Sequence, residues 1–379
     1  MPTELRPLRV LMVAARYIPY MGGVETHVYE VGRRLVRAGI EVTVLTTDVS
    51  GRLPIFEESE GMQIHRVRAW PTNKDYYYAP GIFGFITRGQ WDLVHCQGYH
   101  NLVPPLAMLA ARRANLPFVL TFHSGGDVSS LRKALRSIHW KMLRPLLLHT
   151  QKLVAVSQFE ADFFQERLRL PKEQFVVIPN GAYLCEATDL SGGAADKTDD
   201  EPLIISIGRL ERYKGHQRLI EALPGVLEEV PNARIRIVGT GPYEPTLRKI
   251  ARRLDVDERV EIRSVPSEDR GGMASLLARA NLITLLSEYE SQGIAVMEAL
   301  ALRRPVLVAS TSALRELVSR NLAYGVPLKS TSDEVARAIV SQLRHPLKPG
   351  YVELPTWDAC AAHLRALYHT IARRSACVS

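Results

Sequence analysis

The chain has 379 residues, of which 46% are hydrophobic and 23% are charged, and its formal net charge is +8. This composition is typical of a globular protein, and the length exceeds what one hydrophobic core normally organises, so we expect two domains. We expect neither a disulfide scaffold nor a cysteine zinc site, because the four cysteines lie far apart in the sequence and form no Cys-x-x-Cys pair.

No apolar run approaches the roughly 18 residues that a membrane-spanning helix needs. The N-terminal apolar run, residues 8–15, is short, is followed by Arg16 and lacks a small-residue cleavage site. It therefore predicts a first strand rather than a signal peptide, and we expect a cytoplasmic protein.

Short apolar runs alternate with amphipathic stretches along the chain. In the first half they predict strands at residues 9–14, 41–46, 62–67, 93–96, 118–121, 152–156 and 175–178, and helices over 24–38 and 102–113. In the second half they predict strands at residues 203–207, 234–238, 260–262, 282–286 and 306–309, and a last helix over 357–368. Residues 185–201 are rich in Ser, Gly, Ala, Asp and Thr and predict a linker. The alternation implies two α/β halves with parallel sheets.

Two carboxylates, Glu290 and Glu298, lie on either side of a predicted strand-to-helix junction at Gly293. In parallel sheets such junctions bind ligands, and the free N–H groups of a helix start attract phosphate. The alternative is a solvated helix start, where acidic residues meet the positive end of the helix dipole. The apolar face of this helix is predicted to comprise Ile294, Met297, Leu300 and Ala301.

A second turn, from Gly208 to Gly215, lies between the predicted strand at 203–207 and an amphipathic helix over 216–227. Arg209 offers a planar fork of donors and Lys214 a point charge, while the two glycines allow the backbone to approach a ligand closely. The turn therefore suits a diphosphate. The alternative is a loop that carries ordinary surface cations.

These motifs, taken in order, resemble those of the retaining GT-B glycosyltransferases of family four, which transfer a sugar from a nucleotide diphosphate sugar. Further segments that match in order are Gly22-Gly23-Val24-Glu25, Thr121-Phe122-His123-Ser124-Gly125-Gly126-Asp127, Val154-Ala155-Val156-Ser157, Val177-Ile178-Pro179-Asn180-Gly181, Gly239-Thr240-Gly241-Pro242 and Arg304-Pro305-Val306. The resemblance implies two Rossmann-like domains that face each other across a cleft, with a C-terminal helix that crosses back to the N-terminal domain. The expected bounds are 1–184 for the acceptor-binding domain, 185–201 for the linker, 202–354 for the nucleotide-sugar-binding domain and 355–379 for the crossover helix and tail.

The resemblance also implies roles for individual residues. Arg209 and Lys214 would hold the donor diphosphate and neutralise the leaving group, Glu290 would bind hydroxyls of the donor sugar, and Glu298 would bind the ribose. His123 would contact the donor sugar near its anomeric carbon. The remaining donor contacts are expected from Gly23, Ser291, Gln292, Gly293 and Ile294, and the acceptor contacts from Gly22, Tyr99, His100 and Asp127. No cofactor and no metal site are expected, because Arg209 and Lys214 take the place of a cation.

The donor is expected to be a UDP- or GDP-linked hexose, and the acceptor a glycan, lipid-linked or small-molecule hydroxyl. Residues 131–152 hold six basic residues counted from Arg132 and no acidic residue. This stretch predicts a basic amphipathic helix at an anionic membrane surface, at the inner face of the membrane. The alternative is a core-packed helix with a solvated cationic face. Apolar residues recur at helical spacing at Leu131, Leu135, Ile138, Met142, Leu143 and Leu146.

Three other functions are compatible with parts of the sequence. A GT-B epimerase or phosphorylase would share the scaffold, and a basic nucleic-acid-binding protein would use the positive charge, although we expect no nucleic-acid partner. The third is a nicotinamide oxidoreductase, because Gly239-Thr240-Gly241 follows a strand as in a dinucleotide-binding fingerprint. Glu244, however, stands where the third glycine of that fingerprint would be. The chain also departs from its family at Ser291-Gln292-Gly293, where Gly-Phe-Gly is common, which affects the shape of the donor-sugar pocket.

Overall fold

The computed structural model describes residues 6–20, 22–72, 77–123, 140–183, 201–266, 269–348 and 353–376. Within these residues the chain divides into two compact units. Unit 1 holds residues up to 123, residues 140–181 and the C-terminal segment from Trp357 onward, and unit 2 holds the described residues within Ala182–Thr356. The predicted linker, up to residue 200, lies outside the described residues, apart from Glu201.

Unit 1 is built on an eight-stranded sheet in the order β3-β4-β2-β1-β5-β6-β7-β8. All neighbouring strands are parallel except β3 and β4, which are antiparallel. The strands are β1 Arg9–Ala14, β2 Glu41–Asp48, β3 Phe56–Ser59, β4 Met62–Arg68, β5 Leu93–Gln97, β6 Phe118–Thr121, β7 Lys152–Ala155 and β8 Phe175–Val177. The helices include Gly23–Arg37, Gly81–Arg88, Val103–Arg113, Gln158–Leu168 and Trp357–Ala376.

Unit 2 is built on a six-stranded parallel sheet in the order β11-β10-β9-β12-β13-β14. Its strands are β9 Leu203–Ile207, β10 Arg234–Val238, β11 Val260–Arg263, β12 Leu282–Leu285, β13 Val306–Ala309 and β14 Tyr324–Val326. Its helices include His216–Glu229, Glu244–Arg253, Arg270–Ala278, Ile294–Ala301, Leu314–Ser319 and Ser332–Arg344. The predicted α/β class with two parallel-sheet domains is confirmed.

Both faces of the unit 2 sheet are covered by helices. On β9, Ile204 packs into one apolar cluster and the next residue, Ile205, into the other. Leu307 and Val308 of β13 divide in the same way. Such burial on both faces explains why these strands are continuous apolar runs in the sequence and were predicted correctly.

The C-terminal helix Trp357–Ala376 belongs to unit 1, as the sequence predicted, and packs on the helix Gly23–Arg37. Its Trp357 and Tyr368 are buried. Arg34 of the first helix joins the two elements, because its Nε atom donates to Asp358 at 2.8 Å while its other nitrogen pairs with the buried carboxylate of Glu30.

The predicted apolar face of the helix after Gly293 is wrong in part. The helix Ile294–Ala301 buries Val296, Ala299 and Leu300, while Ile294 and Met297 are only half-buried. The reason is the packing on β12 and β13, which turns this face of the helix toward the sheet. The site-bearing side of the helix is therefore the one that carries Glu298.

Candidate functional site

Strand order places the predicted motifs of unit 2 beside each other. The order reverses between β9 and β12, which are parallel neighbours with Leu282 opposite Ile204. The turn that begins at Gly208 follows β9, and the segment that leads to Glu290 follows β12. Ligands of open α/β sheets bind at the carboxyl ends of strands at this kind of reversal.

Lys214 and Glu290 form an ion pair at this edge. The Nζ atom of Lys214 lies 2.7 Å from Oε1 of Glu290, and the side chains are 17% and 11% exposed. The Ser287 hydroxyl donates to the same Oε1 at 2.8 Å, and the Glu290 backbone N–H donates to the hydroxyl of Ser312 at 2.8 Å. Burial opposes the charge on Lys214, but Glu290 and Tyr213 together raise the pKa of the ammonium above its ordinary value. The site therefore holds a charged lysine paired with a carboxylate.

Gly215 fixes the turn that carries Lys214. It has a φ of 75°, and an added Cβ would lie 2.0 Å from the carbonyl oxygen of Leu286. His216, the next residue, is buried, and its ring nitrogens contact the Ser206 hydroxyl at 2.9 Å and the Arg209 carbonyl oxygen at 3.3 Å. These contacts tie the turn to β9 and β12, so Gly215 and His216, of which the sequence singled out only the glycine, hold Lys214 in place.

Arg209 differs from Lys214 in its surroundings. Its side chain is 68% exposed, and its guanidinium contacts Glu211 at 3.1 Å. Its positive charge repels that of Lys214 and so opposes the rise in the pKa of the Lys214 ammonium. The structure thus brings one half-buried and one exposed cation to the same turn.

The glycines that follow β10 support the Gly208 turn by close packing. An added Cβ on Gly239 would lie 1.9 Å from the carbonyl oxygen of Gly208, and one on Gly241 would lie 2.4 Å from that of Leu210. The Leu210 N–H also donates to the carbonyl of Thr240 at 2.9 Å. These close approaches account for Gly239 and Gly241 without a nicotinamide cofactor.

The helix start after Glu290 has the geometry that the sequence predicted. Gly293 precedes the helix Ile294–Ala301 with a φ of 79°. Ser291 and Ile294 are half-buried, whereas Gln292 is buried and its amide lies 3.4 Å from the sulfur of Met297. The side chain that replaces the common phenylalanine of the family is therefore turned onto the helix.

Glu298 lies beside groups that the sequence did not single out. Its carboxylate accepts a hydrogen bond from the backbone of Tyr183 and lies near the charge of Arg270. The Arg270 guanidinium stacks 4.0 Å above the Tyr183 ring. Burial raises the pKa of Glu298 despite these contacts. The structure therefore places Glu298 in a small pocket whose lining includes Tyr183 and Arg270.

In unit 1 the strand order reverses between β1 and β5, and the predicted residues of this unit follow β1, β5 and β6. His123 comes directly after β6 with a φ of 47°, and its Nε2 atom lies 2.8 Å from Oε1 of Gln97. Gly23 is exposed, and an added Cβ there meets no atom within 4 Å. Gly22 is the N-cap residue of the helix that begins at Gly23.

The predicted acceptor residues differ in how far their side chains are exposed. His100 is exposed, and its Nε2 atom lies 3.3 Å from the carbonyl oxygen of His123. Tyr99 is 2% exposed and packs edge to face on Phe122 and Phe164, so its ring lies in the core. Asp127 lies outside the described residues. The acceptor prediction therefore rests on His100 and Gly22.

Buried histidines surround His123. His27 lies with its ring 4.6 Å from that of His123, and its Nδ1 atom lies 2.7 Å from Oδ1 of Asn180. His95 lies between the Thr121 hydroxyl at 2.7 Å and the Tyr368 hydroxyl at 2.5 Å. Sequence reasoning missed both histidines. The available signal was a polar residue on a buried strand, as at His95.

Burial lowers the pKa of each of these imidazoles. The pKa of His27 falls to about 4, with the Asn180 hydrogen bond acting in the opposite direction, and those of His95 and His123 fall well below the ordinary value. In unit 2, burial lowers the pKa of His216 to about 4. All four side chains are therefore neutral at pH 7.

We expect His27 to make stability depend on pH in mildly acidic solution. In the unfolded chain His27 takes up a proton below about pH 6.5, whereas in the folded protein it does so only near pH 4. The contribution of neutral His27 to the free energy of unfolding is therefore complete above pH 6.5 and is lost as the pH falls. Between pH 7 and pH 5 the free energy of unfolding should therefore fall by about 2 kcal/mol less in His27→Gln than in the wild type. Urea unfolding at the two pH values measures this difference. The exposed His345→Gln is the control and should retain the wild-type fall, and an unaltered fall in His27→Gln would contradict the prediction.

The basic segment predicted over residues 131–152 is described from residue 140. Trp140, Leu143 and Leu147 are buried, whereas Met142 is 73% exposed, next to the exposed Lys141. Met142 therefore does not belong to the packed stripe that the spacing predicted. Of the described helices, none combines the length and apolar character needed to cross a membrane. The described residues also contain no group of three or more His, Cys, Asp or Glu side chains arranged to hold a metal ion.

Two α/β units, each with its chemistry-bearing loops at the carboxyl ends of parallel strands beside a reversal of strand order, define the GT-B class of glycosyltransferase fold. Two family models agree with this assignment to the glycosyltransferases. The model for Glycosyltransferase Family 4 matches residues 21–184, and the model for Glycosyl transferases group 1 matches residues 193–351. The chain belongs to the glycosyltransferases that combine these two domains.

Individual proteins are similar over nearly the whole chain. The sequence is 29% identical over 390 residues to a phosphatidyl-myo-inositol mannosyltransferase of Mycobacterium leprae, a match that covers 96% of this chain and 97% of that protein. Among solved structures, sucrose-phosphate synthase from Thermosynechococcus elongatus has a TM-score of 0.72 at 20% identity and covers 98% of both chains. Anabaena HepE, solved in complex with UDP-glucose, has a TM-score of 0.69 at 18% identity and covers 97% of this chain and 98% of its own. The structural likeness establishes the fold.

Proposed function

We propose that this chain is a retaining glycosyltransferase that moves a hexose from a nucleotide diphosphate sugar to a hydroxyl group of a lipid-linked or glycan acceptor, without a metal ion. The observation that carries the proposal is the half-buried Lys214–Glu290 pair at the carboxyl ends of β9 and β12. A fixed cation and an ionised carboxylate at one sheet edge suit a ligand that joins a diphosphate to a sugar.

The two cations have complementary roles in this proposal. As the bond to the anomeric carbon breaks, negative charge develops on the leaving diphosphate, and a prearranged cation stabilises it. Lys214 is held at a fixed point by its turn, while Arg209 is exposed and its planar fork can pair with two phosphate oxygens. The helix start at Gly293 adds free backbone N–H groups for the same phosphate.

The two carboxylates act as hydrogen-bond acceptors and not as an acid and a base. Glu290 is paired with a lysine and so stays ionised, which suits it to accept from sugar hydroxyls. Glu298 lies beside Arg270 and Tyr183 and is assigned to the ribose. A glycosidase instead needs two carboxyl groups that flank the scissile bond, one of them protonated. We therefore assign the reaction to front-face transfer, in which the leaving phosphate oxygen takes the acceptor proton.

The test is the stereochemistry of the product in the presence of EDTA. Proton NMR of the first product should show the anomeric configuration of the donor, and the rate should be the same with and without the chelator. Inversion would contradict the retaining assignment, and loss of activity with EDTA would contradict metal independence. Isomerisation of the donor sugar without release of nucleoside diphosphate would indicate an epimerase, and dependence on inorganic phosphate a phosphorylase.

The acceptor proposal is a lipid with an inositol headgroup, supported by the similarity to the phosphatidyl-myo-inositol mannosyltransferase. The exposed Met142 beside Lys141 supports contact of residues 131–152 with an anionic membrane surface. An enzyme at the inner face of the membrane would meet such an acceptor in place.

We expect Met142→Glu to lower the fraction of protein that floats with anionic liposomes by several-fold. The substitution replaces an exposed apolar group with a charge of the same sign as the lipid headgroups, which opposes both apolar insertion and electrostatic attraction. Leu109→Glu is the matched control, because Leu109 is 47% exposed on another helix of the same unit. Equal flotation of wild type with and without anionic lipid would contradict the membrane contact.

A further inference from the structure

The imidazole of His123 forms a hydrogen bond with the buried, neutral amide of Gln97. Gln97 ends β5 and lies opposite Thr121, the last residue of the neighbouring β6, two residues before His123. Its side chain is 2% exposed, and Oε1 lies 2.8 Å from Nε2 of His123. A glutamine does not titrate, so this contact is the same at every pH at which the unit is folded.

The contact selects one tautomer of His123. With Oε1 of Gln97 facing it at 2.8 Å, Nε2 of His123 carries the proton, because an amide oxygen only accepts hydrogen bonds. In a neutral imidazole the other nitrogen then holds a lone pair, and the partner of one nitrogen thereby sets the chemistry of the other. Nδ1 of His123 is consequently an acceptor, which is the polarity needed to receive a hydrogen bond from a sugar hydroxyl.

The groups packed around His123 keep it neutral and restrict its ring. The titratable groups that face it are His27, His95 and His100, and burial together with their influence lowers its pKa. The His27 ring meets that of His123 at an angle of 67°, and it is itself held by Asn180. Because His123 has a φ of 47°, its side chain leaves the backbone in a direction that few residues adopt. Its orientation therefore depends on these partners.

We propose that Gln97 is a positioning residue that fixes the tautomer and ring plane of His123 so that Nδ1 accepts a hydroxyl of the donor sugar. This inference rests on the proposed function, because it requires that His123 touches the donor. Gln97 itself is buried, so its proposed effect on transfer acts through His123.

The test compares three substitutions in the full chain. Gln97→Met keeps the length of the side chain but removes the acceptor, and it should lower kcat for transfer by about 10-fold or more while the Kd for the nucleoside diphosphate stays within about 2-fold. Gln97→Glu keeps the acceptor but adds a charge that favours protonated His123, so the acid limb of the pH–rate profile should move up by one pH unit or more. Gln174→Leu is the matched control. Its amide bonds to Leu147 and Thr150 elsewhere in the unit, so it should lower stability without changing the pH profile.

Nitrogen-15 NMR of the His123 ring supplies a readout that does not depend on activity. The wild type and Gln97→Glu should show a proton on Nε2, and Gln97→Met should show a mixture of tautomers. An unchanged tautomer in Gln97→Met, or an unchanged pH profile in Gln97→Glu, would overturn the inference while the proposed function stands. A tautomer change in a protein that turns over no nucleotide sugar would overturn the proposed function, and with it the link from Gln97 to the donor.

Discussion

Replacing Glu290 with glutamine is expected to lower kcat for sugar transfer by roughly 100-fold or more, while the Kd for the nucleoside diphosphate changes by less than about 3-fold. Glutamine fills the same space and can still accept from Lys214 and Ser287, so the turn is preserved. What is lost is the ionised acceptor for the hydroxyls of the donor sugar. Steady-state kinetics and equilibrium binding of the diphosphate measure the two effects separately.

Two further variants make this result specific. Lys214→Met should weaken diphosphate binding as well as transfer, and it should also lower the free energy of unfolding by about 2 kcal/mol, because it leaves the half-buried Glu290 carboxylate without its charged partner. Glu211→Gln is the matched control, since Glu211 pairs with the exposed Arg209, and removing an exposed ion pair costs little. Transfer by Glu290→Gln at the wild-type rate would undo the role given to this carboxylate.

Gly215→Ala is expected to lower the free energy of unfolding by about 3 kcal/mol and to abolish transfer. The alanine Cβ would lie 2.0 Å from the carbonyl oxygen of Leu286, and the φ of 75° is unfavourable for any side chain. Because both obstacles involve backbone, relief requires a shift of the turn, and this shift carries Lys214 away from Glu290. Urea unfolding and nucleoside diphosphate release measure the two consequences.

Gly271→Ala is the control for this prediction. An added Cβ there meets no atom within 4 Å, and the residue lies in the helix Arg270–Ala278, where alanine is the better helix former. We expect this variant to be as stable as the wild type or more so. A stable, active Gly215→Ala would show that the turn adapts without loss of the Lys214–Glu290 contact.

The sequence predicted every strand inside the two sheets and also the edge strands β8 and β11, which are only half-buried or partly exposed. The strands β9, β10 and β12 are apolar runs because helices cover both faces of the sheet. Two strands at sheet edges were missed. β3 reads Phe-Glu-Glu-Ser and β14 has three residues, so neither offers an apolar run long enough to detect. Their pairing is set by neighbours and not by their own side chains.

The residues of the candidate site were also predicted only in part. Lys214 and Glu290 were each predicted to bind the donor, and the structure brings them into contact because the strands that precede them are neighbours in the sheet. The partners of His123 were not found, since His27, Gln97 and Asn180 are brought together by tertiary packing that leaves no local pattern. Tyr99 was expected among the acceptor contacts from the family resemblance, yet its ring lies in the core. Position after a strand indicates which loop forms the site, but not which side chain of the loop faces it.

The measurement that tests the central claim most directly is release of nucleoside diphosphate from a panel of uridine-, guanosine- and adenosine-diphosphate sugars, with wild type beside Glu290→Gln. We expect one donor to bind to both proteins and to be cleaved by the wild type, slowly in water and faster with acceptor. If none of the donors binds to the wild type, the Lys214–Glu290 edge is not a nucleotide-sugar site, and the transferase proposal is contradicted.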